Sequence, residues 1–183
     1  MKLIFDFDDV LFHSTPRFKE HLRASLEKAG ISRAAVEEYA QNLSGRGFSL
    51  KELLNKFSIK LDWYEEVLKD SKEFINQDLL KIIKRLGREN CYIVSFGHGE
   101  FQRDKMEKAG IATLFSEIIV VSGSKKEAVE KICSEHKTEK VVFVDDKARH
   151  FQDLDFKKYP NLKTILYDEQ GLEKIQEEIK NIQ

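Results

Sequence analysis

The stretch Leu3-Ile4-Phe5-Asp6-Phe7-Asp8-Asp9-Val10-Leu11-Phe12 leaves the chain few choices, because an apolar run of strand length ends in three carboxylates. Side chains alternate faces along an extended segment, so Asp6 and Asp8 project to one side while Phe5 and Phe7 project to the other. Two carboxylates in one small volume repel, which raises one pKa unless a cation lies between them. A hard cation with oxygen ligands, above all Mg2+, resolves that conflict. In phosphoryl transfer one such carboxylate can attack phosphorus while its neighbour handles the proton of the leaving group. An isolated Asp-x-Asp after a strand is an acidic turn; the downstream sequence tips the reading towards chemistry.

The order of patterns after this stretch sets the architecture. Ser14-Thr15-Pro16 breaks the chain, and Arg17 to Ala29 reads as an amphipathic helix with Phe18, Leu22 and Leu26 on one face, ended by Gly30. Ser32 caps a second helix through Tyr39 to Leu43, and Ser49 caps a third that carries Leu50, Leu53, Leu54 and Phe57. Leu61 to Phe74 reads as a fourth. No strand pattern occurs between Val10 and about Asn76. From Gln77 onwards helices and strands alternate: helix Asp78 to Gly87, strand Cys91 to Val94, helix Glu100 to Ala109, strand Glu117 to Val121 and helix Lys125 to His136. Strand Lys140 to Val144, a short helix near Arg149 to Leu154, strand Leu162 to Tyr167 and a terminal helix Leu172 to Ile182 complete the chain. Strands alternating with helices require parallel pairing and right-handed crossovers, and runs such as Val141-Val142-Phe143-Val144 suit a sheet covered on both faces. The expected fold is therefore a doubly wound α/β domain of residues 1–13 and 77–183, with a helical insertion of residues 14–76.

Composition excludes several classes. Thirty-one Lys and Arg against 32 Asp and Glu leave a formal net charge of -1, so no global basic field calls for nucleic acid or an anionic membrane. No apolar run reaches the roughly 18 residues of a membrane span, and an acidic strand starts straight after Lys2; a cytoplasmic protein is expected. Cys91 and Cys133 lack metal-type spacing and read as small buried hydrophobes.

Parallel sheets of this kind bind ligands at the carboxyl ends of their strands. The first strand ends in Asp6-Phe7-Asp8, the second in Ser95-Phe96-Gly97-His98-Gly99, and the fourth in Asp145-Asp146, while Lys125 and Lys126 open the helix after the third. The Ser95 hydroxyl and the backbone N–H groups of its loop, from Phe96 on, suit phosphate oxygens. One of the two lysines is expected to face inward and neutralise phosphate and carboxylates. One of Asp145 and Asp146 can complete a metal site.

These four ordered motifs (Asp6-Phe7-Asp8-Asp9-Val10, the Ser95 strand end, Lys125-Lys126-Glu127-Ala128-Val129 and Val144-Asp145-Asp146) resemble those of the haloacid dehalogenase superfamily of phosphatases and phosphotransferases. The resemblance implies that Asp6 is the nucleophile and Asp8 the general acid/base. It implies a Mg2+ held by Asp6, by the backbone carbonyl of Asp8 and by Asp146, with Asp145 beside it. It places Lys125 rather than Lys126 on the phosphate, because Val129 stands four positions on. Two departures appear: Val10 replaces the commoner Thr, and His150 stands four residues after Asp146 where an acid is usual. Residues 14–76 resemble the helical cap that in this family closes over the site, with hinges expected at Phe12 to Pro16 and near Asn76, and Gly45-Arg46-Gly47 as a turn that could reach a substrate's anionic group.

The implied function is Mg2+-dependent hydrolysis of a small phosphorylated metabolite through an aspartyl-phosphate. Alternatives are phosphoryl transfer to another acceptor, as in mutases, and a non-catalytic phosphate-binding or signalling module. A phosphoacceptor receiver domain has a different motif order and no helical insertion after its first strand. His13, His98, Trp63, Tyr64 and Tyr39 read as packing or surface residues.

Overall fold

The computed structural model describes residues 1–43 and 45–180. Apolar runs form β1 (Lys2–Phe5), β2 (Cys91–Phe96), β3 (Glu117–Val121), β4 (Val141–Asp145) and β5 (Leu162–Leu166). All pair in parallel, in the order β3-β2-β1-β4-β5. β1 and β4 are buried along their whole length, as strands covered on both faces must be, whereas β3 at one edge is only half-buried. β1 lies at the centre, with β2 and β4 as its direct neighbours. The strand that ends in carboxylates is thus flanked by the strands that end in Ser95 and in Asp145-Asp146.

Directly after β1 the chain reverses within six residues. The N–H groups of Leu11 and Phe12 donate to the Phe7 carbonyl at 3.0 and 2.9 Å, and the Asp9 N–H donates to the Phe12 carbonyl at 2.8 Å. Asp9 takes the left-handed conformation (φ 60°), which Asp tolerates better than most residues, and its carboxylate accepts the Thr15 N–H at 2.6 Å. The turn stacks Phe12 on Phe7, with ring centroids 4.9 Å apart.

Four helices follow: α1 (Lys19–Lys28), α2 (Arg33–Gln41), α3 (Leu50–Lys56) and α4 (Asp62–Leu68). The serine caps expected from the sequence are present, for Ser32 Oγ accepts the Ala35 N–H and Ser49 Oγ the Glu52 N–H, each at 3.3 Å. The expected fourth helix, Leu61 to Phe74, is instead broken: α4 stops at Leu68 and a single 3-10 turn spans Ser71–Phe74. Tertiary demand overrides the helical pattern here. Phe74 turns onto Phe12 and Phe18, its carbonyl accepts the His13 N–H at 2.7 Å, and the extended Ile75 bridges to Phe12. Entry to and exit from the helical segment therefore lie side by side, sealed by the Asn76 N–H to Leu11 carbonyl bond of 2.8 Å.

The remaining helices are α5 (Gln77–Leu86), α6 (Gly99–Lys108), α7 (Lys126–Glu135) and α8 (Gly171–Lys180); Asn181 and Ile182 of the expected terminal helix lie outside the described residues. Packing makes two apolar clusters, one on each face of the sheet. The larger joins Leu3, Phe5, Val142 and Val144 to Leu22, Leu26, Leu53 and Val67 of the helical segment. The smaller packs Ile4, Val94, Val141 and Phe143 under Val129, Ile132 and Cys133 of α7. Cys91 and Cys133 are buried and free. Among the described residues no helix is long and apolar enough to cross a membrane.

Candidate active site

Register alone gathers the strand-end residues. Phe5 lies opposite Ile93 of β2 and Val144 of β4, and the Asp6 N–H continues the ladder to the Val144 carbonyl at 2.9 Å. One Asp6 oxygen accepts the Phe7 N–H at 2.6 Å, and the other faces Lys125 Nζ at 2.8 Å. Burial drives the Asp6 pKa up, Lys125 pulls it back, and the charges of Asp145 and Asp8 push it up again; the net direction is upward. Asp6 is thus a buried carboxylate short of positive charge.

Lys125 is 2% exposed, and its ammonium also meets Asp145 Oδ2 at 2.6 Å. Lys126 points outward to Glu130 at 2.6 Å. Of the two candidate lysines, the structure turns Lys125 inward. Asp145, fully buried, is saturated by protein donors: Lys125 and His150 Nδ1, at 2.8 Å, on one oxygen, and the Lys147 N–H, at 2.9 Å, on the other. Asp146 is more open and pairs with Lys147 Nζ at 3.1 Å. Burial raises the Asp146 pKa, Lys147 opposes this, and the charges of Asp145 and Asp9 add to the rise.

Asp8 is held from the side of α6. Lys105 Nζ lies 2.7 Å from Oδ1, which also accepts the Ser14 hydroxyl, and Gln102 Nε2 lies 2.5 Å from Oδ2. Burial alone would raise the Asp8 pKa, but Lys105, Ser14 and Gln102 overcome it and hold the carboxyl below its ordinary range. The Gln102 amide also reaches the Phe96 carbonyl at 3.0 Å and the buried Ser95 Oγ at 3.3 Å. Asp8 and Ser95 therefore share one hydrogen-bond donor.

The helical segment meets this site at Gly47. A methyl group there would stand 2.0 Å from the His98 nitrogen and 2.3 Å from the Gly97 carbonyl carbon, so only glycine allows the two backbones to approach this closely. Arg46 is exposed beside a cavity of about 440 Å³ that Gly45, Glu52 and His98 also line. A second cavity of about 290 Å³ is lined by Phe96, Ser124, Lys125, Arg149 and His150. A larger one, about 660 Å³ between α5 and α8, contains none of the strand-end carboxylates. Tyr39 and Tyr64 are buried, with Tyr64 donating to Asp104, so both are packing residues as expected. Gly47→Ala should push the helical segment off the Ser95 loop. The expected cost is about 1–3 kcal/mol of stability, the usual range for overpacking, with a fall in kcat/KM for any phosphoester turned over. Thermal unfolding and initial-rate assays check both.

The structure brings together Asp6, Asp8, Ser95, Lys125, Asp145 and Asp146 at the carboxyl ends of β1, β2 and β4. Sequence reading missed four contributors: Ser14, Gln102, Lys105 and Lys147. The charge balance bears on metal binding. Five carboxylates (Asp6, Asp8, Asp9, Asp145 and Asp146) share their surroundings with three ammonium groups (Lys105, Lys125 and Lys147), an excess that a divalent cation matches. Asp6, Asp145 and His150 offer ligand atoms within 4.8 Å of one another. Lys125 already occupies the space between the first two, so a cation there would meet a resident positive charge.

Residues 3–150 match the profile of haloacid dehalogenase-like hydrolases. The chain belongs to this family. No curated protein sequence matches it, but solved structures do. A protein described as a haloacid dehalogenase-like hydrolase, from Burkholderia xenovorans, superposes with a TM-score of 0.67 at 16% identity, over 93% of this chain and 86% of that one. A β-phosphoglucomutase candidate from Thermotoga maritima gives 0.57 at 18% identity over 100% of both chains. A HAD-hydrolase from Bacillus subtilis, bound to magnesium, gives 0.56 at 18% identity over 95% and 96%. At these identities the likeness carries the fold, and membership of this hydrolase family rests on the profile match.

Proposed function

We propose that this haloacid dehalogenase-like hydrolase is a Mg2+-dependent phosphatase that cleaves a small phosphorylated metabolite through an aspartyl-phosphate on Asp6. The observation that carries the reading is the setting of Asp6: a buried carboxylate at the end of the central strand, with one oxygen on Lys125 and too little positive charge around it. In water such a carboxylate would be a weak nucleophile. Desolvated and positioned beside a phosphate site, it becomes an effective one.

An Asp6 oxygen bonds to phosphorus as the ester P–O bond breaks, and the leaving oxygen takes a proton from Asp8, whose carboxyl, ionised in the free protein, gains that proton as the anionic phosphate binds beside it. A water then gives its proton to Asp8 and its oxygen to phosphorus, the acyl-phosphate P–O bond breaks, and inorganic phosphate departs with Asp6 restored as a carboxylate. The Ser95 hydroxyl and the Lys125 ammonium bind phosphate oxygens throughout, with the Phe96 backbone beside them. Asp6, the Asp8 carbonyl and Asp146 would hold the Mg2+ through oxygen donors, with Asp145 serving instead to anchor Lys125. Bound there, the ion supplies Lewis acidity and offsets repulsion between phosphate and carboxylates. Residues 14–76 act as the cap, and the cavity beside Arg46 takes the remainder of the substrate.

Hydrolysis of 4-nitrophenyl phosphate by the purified protein tests this. Chelation should cost on the order of 10²–10³-fold in rate, equivalent to several kcal/mol of lost charge stabilisation, and Mg2+ should restore it. Full activity in excess chelator removes the metal from the mechanism. A sugar phosphate that gains the phosphoryl group in place of water makes the protein a phosphotransferase.

A further inference from the structure

An ammonium group buried among aromatic rings is an expensive feature. Lys105 is 4% exposed and lies 5.1 to 5.7 Å from the ring centroids of Phe7, Phe12, Phe18 and Phe101. Cation–π attraction recovers part of its desolvation cost, but an apolar side chain of equal length would fill the same space at none. What an apolar side chain cannot do is reach the Asp8 carboxylate, which Lys105 meets at 2.7 Å. Gln102, also 4% exposed, stands one helical turn earlier on the same face of α6. Its amide nitrogen donates to Asp8, Phe96 and Ser95 together, and its Oε1 is buried without a partner. Three acceptors around one nitrogen fix the orientation of the amide, since the flipped group would set oxygen against oxygen. A side chain that leaves its own oxygen unsatisfied, at a cost of about 1–3 kcal/mol, is not placed for stability alone.

We propose that Lys105 and Gln102 are positioning residues that fix where the Asp8 carboxylate sits, and that Gln102 locks this placement to Ser95. The inference rests on the reading of Asp8 as the group that gives and takes the proton. Neither residue bonds to Asp6 or Lys125; both act through Asp8. The buried face of α6 would then serve the reaction as well as the fold, and substrate binding at Ser95 would be felt at Asp8 through a single amide.

The test uses Lys105→Met, which keeps the length and suits the aromatic surroundings, and Gln102→Met, each made alone and together with Asp8→Asn. Rates are measured with a series of aryl phosphates of increasing leaving-group pKa. Each single variant should lose kcat, not KM, by roughly 10²-fold, the cost of misplacing a reacting group by about 1 Å. The loss should grow with leaving-group pKa and should vanish in the Asp8→Asn background. Losses that are additive with Asp8→Asn, or insensitive to the leaving group, would reduce Lys105 and Gln102 to structural residues and overturn the proposal. If Asp8→Asn alone leaves poor leaving groups cleaved at the parental rate, the proton-transfer reading of Asp8 fails and this inference falls with it. Should Lys105→Met not fold, Gln102→Met carries the same comparison. A crystal structure provides a readout independent of turnover: Asp8 should leave α6 in either variant, and an unmoved carboxylate in both counts against the proposal.

Discussion

Asp6→Asn should reduce turnover to background, while Asp8→Asn should retain a first step with activated substrates. The amide introduced by Asp6→Asn keeps the size of the carboxylate but has no nucleophilic anion, so no acyl-phosphate can form. The Asp8→Asn change leaves the nucleophile intact, yet its amide can neither protonate a leaving oxygen nor take a proton from water, at a cost of roughly 10²–10⁴-fold. The two losses differ in kind, which makes them separable. With 4-nitrophenyl phosphate, whose leaving group scarcely needs a proton, the Asp8→Asn protein should become phosphorylated on Asp6 and then stall. Mass spectrometry after rapid quenching should find one added phosphoryl group on the peptide that contains Asp6. An adduct that survives Asp6→Asn would reverse the roles, and its absence from every variant of an active protein would favour direct attack by water.

Lys125→Met should be the most damaging single change to stability. Its ammonium is the shared partner of Asp6 and Asp145, at 2.8 and 2.6 Å, and all three groups are buried. Removing one member of a buried ion pair strands the other charge and typically costs about 3–5 kcal/mol. His150 and the Lys147 N–H still serve Asp145, so Asp6 bears most of the loss. For a chain of this size the expected fall in Tm is about 6–20 °C. Thermal unfolding reads the stability, and a Tm within about 2 °C of the parent, well below that roughly 6 °C floor, would show that the two carboxylates have found other compensation. Turnover should also vanish, since phosphate would then enter a site without the cation that stands at the start of α7.

Much of this arrangement was legible because the strands carry simple signals. β1 and β4 are unbroken apolar runs that end in acids, and Ser32 and Ser49 announce their helices. The break at Leu68 was not legible, for nothing in Leu61 to Phe74 forbids a continuous helix; the reason lies in Phe12 and Phe18, far away in sequence. The contacts of α6 left a fainter signal. Gln102 and Lys105 share a helical face with Phe101 and Met106, so two polar residues interrupt what should be a buried stripe. Charged helices are usually solvated, and which face of α6 turns inward was not fixed until its place beside β3 and the 3-10 turn at Ser71–Phe74 was known. Lys125 and Lys126 illustrate the same point, since adjacent lysines differ only in which way the helix start is rotated.

The bridge between Phe12 and Ile75 has a consequence for how such a protein can vary. Because the two ends of the helical segment are fastened to each other, the chain statistics of closing that excursion depend only weakly on how many residues it contains, about 0.6 kcal/mol for each doubling of length. The spacing of β1 and β2 in the sheet is set by their own ladder and is indifferent to what hangs from that clasp. The chain between Phe18 and Phe74 could therefore be lengthened, shortened or exchanged for another fold without disturbing Asp6, provided that whatever replaces it still covers Phe12, Phe18 and Phe101 and still meets the loop after Ser95. Selectivity and chemistry can then change at independent rates within one polypeptide.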